Sequence, residues 1–216
     1  MRKVGSSNDA RSVDLTADGR SILTRMETIR TFIAIQMPAD IRRKLAGIGE
    51  ELKKSGADAK WVHEENFHIT LKFLGNVTAE RVTAVSEVVR FIAEQTEAFD
   101  LVLSGVGAFP RLSRPSVVWV GISDGSDRIA SLAEKIDFEL GRLGFECENR
   151  PFSGHVTVAR VRTPKNLERL KGMIENLQGQ HVGAFGVESV AIMKSELRRT
   201  GPIYTAINEY GLRIVE

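Results

Sequence analysis

The sequence predicts an α+β fold with two lobes, built as two antiparallel sheets related by a pseudo-two-fold axis, with helices on the outer faces and a central cleft. Three observations lead there. From about Arg30 the chain alternates strand-like and helix-like stretches. The order strand, helix, strand, helix, strand is then written twice. A tetrad of His, β-branched residue, Thr and aliphatic residue recurs at the matching place in each copy, as His68-Ile69-Thr70-Leu71 and His155-Val156-Thr157-Val158. A single mixed sheet with chance repetition is the alternative.

In the first copy, Thr31 to Met37 is β-rich and ends at Pro38. Ile41, Leu45, Ile48 and Leu52 then share a helical face, with Asp40 as the expected N-cap and Gly56 as the stop. The first tetrad lies in a strand. Thr78 is placed to cap a helix whose face is Val82, Val85, Val89 and Ile92, and Phe99 to Phe109 is a third strand. In the second copy, Ser116 to Ile122 is a strand. Ile129, Leu132, Ile136, Leu140 and Leu143 mark a helix with Gly144 behind it. The second tetrad again lies in a strand. Thr163-Pro164 reads as a cap followed by proline in the first turn, ahead of Leu167, Leu170, Ile174 and Leu177. Gly186 to Ser195 is the last strand of the repeat, and residues 202–215 return to one of the sheets. Phe32 precedes His68 by 36 positions and Val118 precedes His155 by 37.

The 216 residues hold 42% hydrophobic and 27% charged residues, a composition ordinary for a folded soluble chain. Lys and Arg number 30 against 28 acidic residues, so no overall charge marks the chain for duplex nucleic acid or membrane. One cysteine, Cys147, excludes an internal disulfide and a multi-cysteine metal cage. No signal-peptide pattern and no apolar run of membrane-spanning length is present. A cytoplasmic monomer without membrane association is expected. Residues 1–28 are polar and read as a disordered tail, with Met26 a plausible alternative start, and residues 29–216 as one bilobal domain.

Side chains alternate along a strand, so His68 and Thr70 share one face and His155 and Thr157 share another. Brought together, two imidazoles and two hydroxyls suit a phosphodiester. One neutral ring takes a proton from water while one protonated ring gives a proton to a leaving oxygen. The hydroxyls donate to phosphoryl oxygens as charge develops. No cofactor or metal is called for, because the chain has four His and no carboxylate cluster near them. A lone His in a strand is more often structural; repetition at equivalent positions of two copies favours a shared site.

The paired tetrads, together with "RTFIAIQMP", "ENFHITLKFLG", "GVGAFPRLSRPSVVWVGI", "RPFSGHVTVAR" and "KSELRRTGPIYTAI", resemble the two-histidine phosphoesterases. The likeness is to their RNA 2',3'-cyclic phosphodiesterase branch, historically also called 2'-5' RNA ligases, and runs from about Arg30 to the C-terminus. Gly154 stands where relatives often carry proline. The resemblance implies a bilobal fold and hydrolysis of a terminal 2',3'-cyclic phosphate to a 2'-phosphate, with RNA ends or cyclic nucleotides as substrates. It also implies His68 as proton donor and His155 as acceptor; the two motifs by themselves are interchangeable.

Arg160 matches an arginine that follows the second motif in this branch and suits a phosphate. Strand parity puts it opposite His155, so a bulge is needed to bring it round. By the same parity Lys72 joins His68 and Thr70, at the cleft rim or in solvent. His63 and His181 read as surface residues, Trp119 as core and Trp61 as a base-stacking candidate. Arg111, Arg114, Arg198 and Arg199 form a basic cluster in loops. Two rival functions remain: reversible 2'-5' joining or cleavage of another cyclic phosphate such as ADP-ribose 1'',2''-cyclic phosphate, and an RNA-binding module without turnover.

Overall fold

The protein is described by a computed structural model covering residues 11–15, 21–25, 27–199 and 201–214. Within the stretch expected to be a tail, β1 (Arg11–Leu15) and β2 (Ser21–Arg25) pair antiparallel; the rest of residues 1–26 lies outside the described residues. The elements that follow are β3 (Thr28–Gln36), α1 (Ala39–Lys53), β4 (Ala59–Trp61), β5 (His68–Thr78), α2 (Ala79–Gln95), β6 (Phe99–Phe109) and β7 (Val117–Asp124). Then come α3 (Ser126–Arg142), β8 (His155–Val161), α4 (Leu167–Asn176), β9 (His181–Val187), β10 (Ser189–Arg198) and β11 (Gly201–Gly211).

The two halves are α+β with antiparallel sheets, as the repeat predicts, and their sheets join edge to edge. The strand order is β11-β10-β3-β5-β8-β7-β6-β9, with β4 pairing β8. The join is narrow, with β5 and β8 meeting in one registered pair, Ile69↔Val156. On either side of that join the order is mirrored, β3 with β7, β10 with β6 and β11 with β9. The third strand of each half has crossed over. β6 pairs with β7 of the second half, and β10 pairs with β3 of the first.

The alternating pattern sorts the sheet's faces. Ile33, Ile35, Ile69, Val120 and Val156 point to the helices and bury against Leu45, Val85, Leu132 and Ile136 in the main core. At about 25 cal/mol per Å² of apolar surface, each such side chain contributes roughly 1.5–3 kcal/mol. The opposite face carries a smaller cluster of Phe32, Ala34, Ala191, Met193 and Tyr204.

Helix boundaries follow the expected faces with local changes. Thr78 caps α2, accepting from Arg81 N–H at 3.4 Å. Pro38, not Asp40, is the N-cap of α1; Asp40 sits in the first turn, where its charge suits the positive end of the helix dipole. α4 starts at Leu167 behind a left-handed Asn166, three residues beyond Pro164. The expected 186–195 strand is two strands, β9 ending at Val187 beside β6 and β10 starting at Ser189 beside β11 and β3, with Glu188 between them in neither. No helix is long and apolar enough to cross a membrane among the described residues.

Candidate active site

The registered pair Ile69↔Val156 fixes the site. Both residues are fully buried on the helix side. Their strand neighbours His68, Thr70, His155 and Thr157 therefore all turn to the other face, where they line one cleft of about 1280 Å³. In an antiparallel pair with this register, His68 stands across from Thr157 and Thr70 across from His155. The four predicted side chains are thus neighbours around a single crossing point.

Each ring is tethered in the same way. Nδ1 of His68 bonds the carbonyl oxygen of Asn66 at 2.8 Å, and Nδ1 of His155 bonds that of Ser153 at 2.7 Å. A carbonyl only accepts, so Nδ1 carries the hydrogen in both rings and Nε2 is left to exchange protons. Aromatic rings brace the imidazoles. Phe32 lies 4.8 Å and Tyr204 5.1 Å from His68, Tyr204 edge-on. Phe109 meets His155 edge-on at 5.0 Å. The amide of Asn66 donates to the Pro202 carbonyl at 3.0 Å, tying the β10–β11 hairpin to the turn that precedes His68.

Burial pushes the pKa of His68 below its ordinary value; the positive charges of Arg160 and His155 act in the same direction, while the bond to Asn66 opposes them. Burial raises the Tyr204 phenol, against the pull of Arg160 and Arg30, so it stays a neutral donor.

Arg160 lines the cleft, on the same side as the histidines. The cause is a bulge in β8. Val118 pairs with Ala159 and Trp119 with Thr157, leaving Val158 without an opposite number. Val158 and Ala159 are both buried, alternation flips, and Arg160 swings round. β5 has the same bulge at the same motif position, since Ile33 pairs with Lys72 and Ala34 with Thr70, skipping Leu71. The flip there corrects the solvent expectation for Lys72, which still borders the cleft. It is 2% exposed and turned toward α3, where it pairs with Asp137 and donates to the Glu146 carbonyl. Asp137 also accepts from the N–H of Glu148, so the pair anchors the segment that leads into His155.

Trp119 is half-buried, packs against Phe109 at 5.2 Å and lies over Gly107, where a Cβ would come within 2.3 Å of its ring. Trp61 and the exposed His63 line the cleft, and His181 is exposed at the start of β9. Arg198 is held by Glu196 at 3.5 Å. At Gly154 a Cβ would meet the terminal methyl of Ile122 at 2.6 Å, so a larger residue there needs only that side chain to shift. No group of three or more metal-ligating side chains gathers among the described residues. Tyr204, Phe32 and Asn66 were not singled out from sequence as site residues. The available signal was their position in the quoted stretches "GPIYTAI", "RTFIAIQMP" and "ENFHITLKFLG".

The family model for LigT-like phosphoesterases matches the chain twice, over residues 35–119 and 120–204. The RNA 2',3'-cyclic phosphodiesterase of Methanothermobacter thermautotrophicus is 34% identical over 184 residues, covering 85% of this chain and 99% of that protein. The enzyme of the same name from Aeropyrum pernix is 36% identical over 166 residues, covering 77% and 93%. Among solved structures, Escherichia coli LigT complexed with 3'-AMP superposes with a TM-score of 0.68 at 27% identity, covering 86% of this chain and 99% of LigT. A Thermus thermophilus structure gives 0.72 at 25% identity, covering 87% and 100%.

Proposed function

The chain belongs to the LigT-like phosphoesterases, and we propose that it hydrolyses RNA 2',3'-cyclic phosphate ends to 2'-phosphomonoesters, without a metal ion, by two-histidine general acid–base catalysis. The observation that carries this is the shared cleft face of His68, Thr70, His155 and Thr157 around Ile69↔Val156. The names of its relatives point to the same substrate.

In this reading His155 Nε2 takes a proton from water as the water oxygen bonds to phosphorus. The P–O3' bond breaks, and His68 Nε2 gives its proton to the departing O3'. Each proton transfer is worth about 10²–10⁴-fold. Thr70 and Thr157 donate to the non-bridging oxygens, and Arg160 balances their charge. Burial, and after it the charges of Arg160 and His155, hold the His68 pKa down. A phosphodiester anion entering beside Arg160 offsets the repulsion and works against the burial, favouring the protonated ring that the acid role needs. The single thiol suits a reducing cytoplasm.

Phosphorus NMR of a 2',3'-cyclic nucleotide mixed with the protein tests the proposal. The expected result is conversion to a 2'-monoester at an undiminished rate in a strong chelator, with His68→Ala and His155→Ala each losing most turnover while staying folded. Near-normal hydrolysis by both variants, or tight binding of the cyclic ester with no product, sinks it.

A further inference from the structure

β4 and β5 follow one another along the same edge of β8. β5 meets it at Ile69↔Val156, and β4 at Ala59↔Val161, Lys60↔Arg160 and Trp61↔Ala159. The Val62 N–H donates to the Val158 carbonyl and the Arg162 N–H to the Asp58 carbonyl, both at 2.9 Å, which holds that register on either side of Lys60↔Arg160. Partners in an antiparallel pair put their side chains on one face, so the bulge that turns Arg160 to the cleft sets it beside Lys60, and both line the cleft. Two like charges directly opposite each other cost stability, which a carboxylate between them would relieve. Among the described residues neither cation lies within salt-bridge distance of an acidic side chain. Lys72, the other lysine of the cleft, is paired with Asp137. The field of Arg160 instead reaches His68 and Tyr204. The exposed Lys60 extends from β4 toward the β10–β11 hairpin, where a Cβ on Gly201 would lie 3.9 Å from its Nζ. The carboxylates that line the cleft among the described residues, Glu134, Asp137 and Glu148, belong to α3 and the loop after it, and none stands on β4.

Two opposed cations without a counter-charge suit two anions, and the reacting phosphate occupies only Arg160. A cyclic phosphate spans O2' and O3' of the terminal nucleoside. The next anion along an RNA chain is the phosphodiester on O5' of that same nucleoside. We propose that Lys60 forms, beside Arg160, a subsite for this 5'-phosphodiester, so that the cleft takes the end of an RNA chain in preference to a free cyclic mononucleotide. The proposal deepens the cyclic phosphodiesterase reading and rests on it. The subsite reads charge and not base, because an ammonium on a flexible stem acts as a point charge. It also sets a direction: the chain leaves the cleft over β4, away from the carboxylates of α3. The cleft volume of about 1280 Å³ exceeds the about 300–1,000 Å³ usual for a small-molecule site, which leaves room for a second phosphate.

Calorimetric titration of wild type and Lys60→Met with adenosine 2'-monophosphate and adenosine 2',5'-bisphosphate tests the subsite. At low salt wild type should bind the bisphosphate about three- to five-fold more tightly than the monophosphate, the worth of one exposed charge pair. That advantage should vanish in Lys60→Met, return in Lys60→Arg and fade as salt is raised. The adenosine dinucleotide ending in a 2',3'-cyclic phosphate then separates an RNA phosphodiester from a free 5'-phosphate as the anion. Its KM should lie below that of adenosine 2',3'-cyclic phosphate in wild type, and the preference should be lost in Lys60→Met. Equal affinity for the two esters in wild type, or a bisphosphate or dinucleotide preference that survives in Lys60→Met, overturns the subsite. A bisphosphate advantage without a dinucleotide preference overturns its assignment to an RNA chain. A Lys60-dependent advantage in a wild type that leaves both cyclic esters intact overturns the hydrolase reading instead and leaves the subsite standing. Lys60→Met removes one of two opposed charges, so it should melt no lower than wild type, which a melting curve checks.

Discussion

His68 and His155 share a tether and differ in surroundings. His68 is pressed between Phe32, Tyr204 and the field of Arg160, while His155 meets Phe109 edge-on. If His68 is the acid, its lowered pKa in the free protein makes kcat/KM fall as pH rises through that lowered value. Bound phosphate raises the pKa, so the alkaline limb of kcat should lie at higher pH than that of kcat/KM; pH–rate profiles measure both. Replacing Arg160 with Met removes one downward cause, so the His68 ring should titrate closer to its ordinary value, read from its Hε1 resonance in proton NMR. The same variant should raise KM. Thr70→Ala and Thr157→Ala each remove one neutral donor and should cost less turnover than loss of either imidazole. The histidines and threonines were legible from sequence because parity and repetition act within four residues. Arg160 was half legible, its chemistry recognisable but its face dependent on a bulge. Tyr204 carried no local mark, since its nearness to His68 depends on how the β10–β11 hairpin folds over the sheet.

At the scale of elements, alternation reads a strand correctly until a bulge interrupts it. Two bulges at the fourth motif position exchanged the expected faces of Lys72 and Arg160. A bulge depends on how the neighbouring strand is registered, which no period within β5 or β8 encodes. The three-residue β4 was likewise too short to announce itself, and β9 merged with β10 in the periodic reading. The helices were legible because buried aliphatic faces need only the chain's own spacing. The turned Lys72 is now a strut. Asp137→Ala leaves a buried ammonium without its partner and should lower stability by about 3 kcal/mol, measured by urea unfolding. Joint replacement of Lys72 by Met and Asp137 by Leu should cost less, because it removes both charges together.

For the molecule as a whole, the repeat announced two related halves and did not announce their exchange of strands. Contiguity in sequence suggests that residues 28–113 make one lobe, yet β6 pairs with β7 and β10 with β3. Sequence periodicity records which strands exist, while partner choice is settled by long-range burial. Either half alone leaves unpaired strand edges and half a core, so fragments cut between residues 113 and 114 should each lack a cooperative melt. Mixed together they should regain circular dichroism and one transition. The intact chain should unfold as one unit, with far-ultraviolet and tryptophan signals coinciding; two separated transitions would contradict a single bilobal domain. The crossover also bears on ancestry by duplication. A half-length progenitor with this strand exchange would have no complete reaction centre as a solitary subunit. It would gain one by pairing with its twin, each copy lending its terminal ribbon to the other, and fusion of the two genes would then free each copy of the motif to specialise.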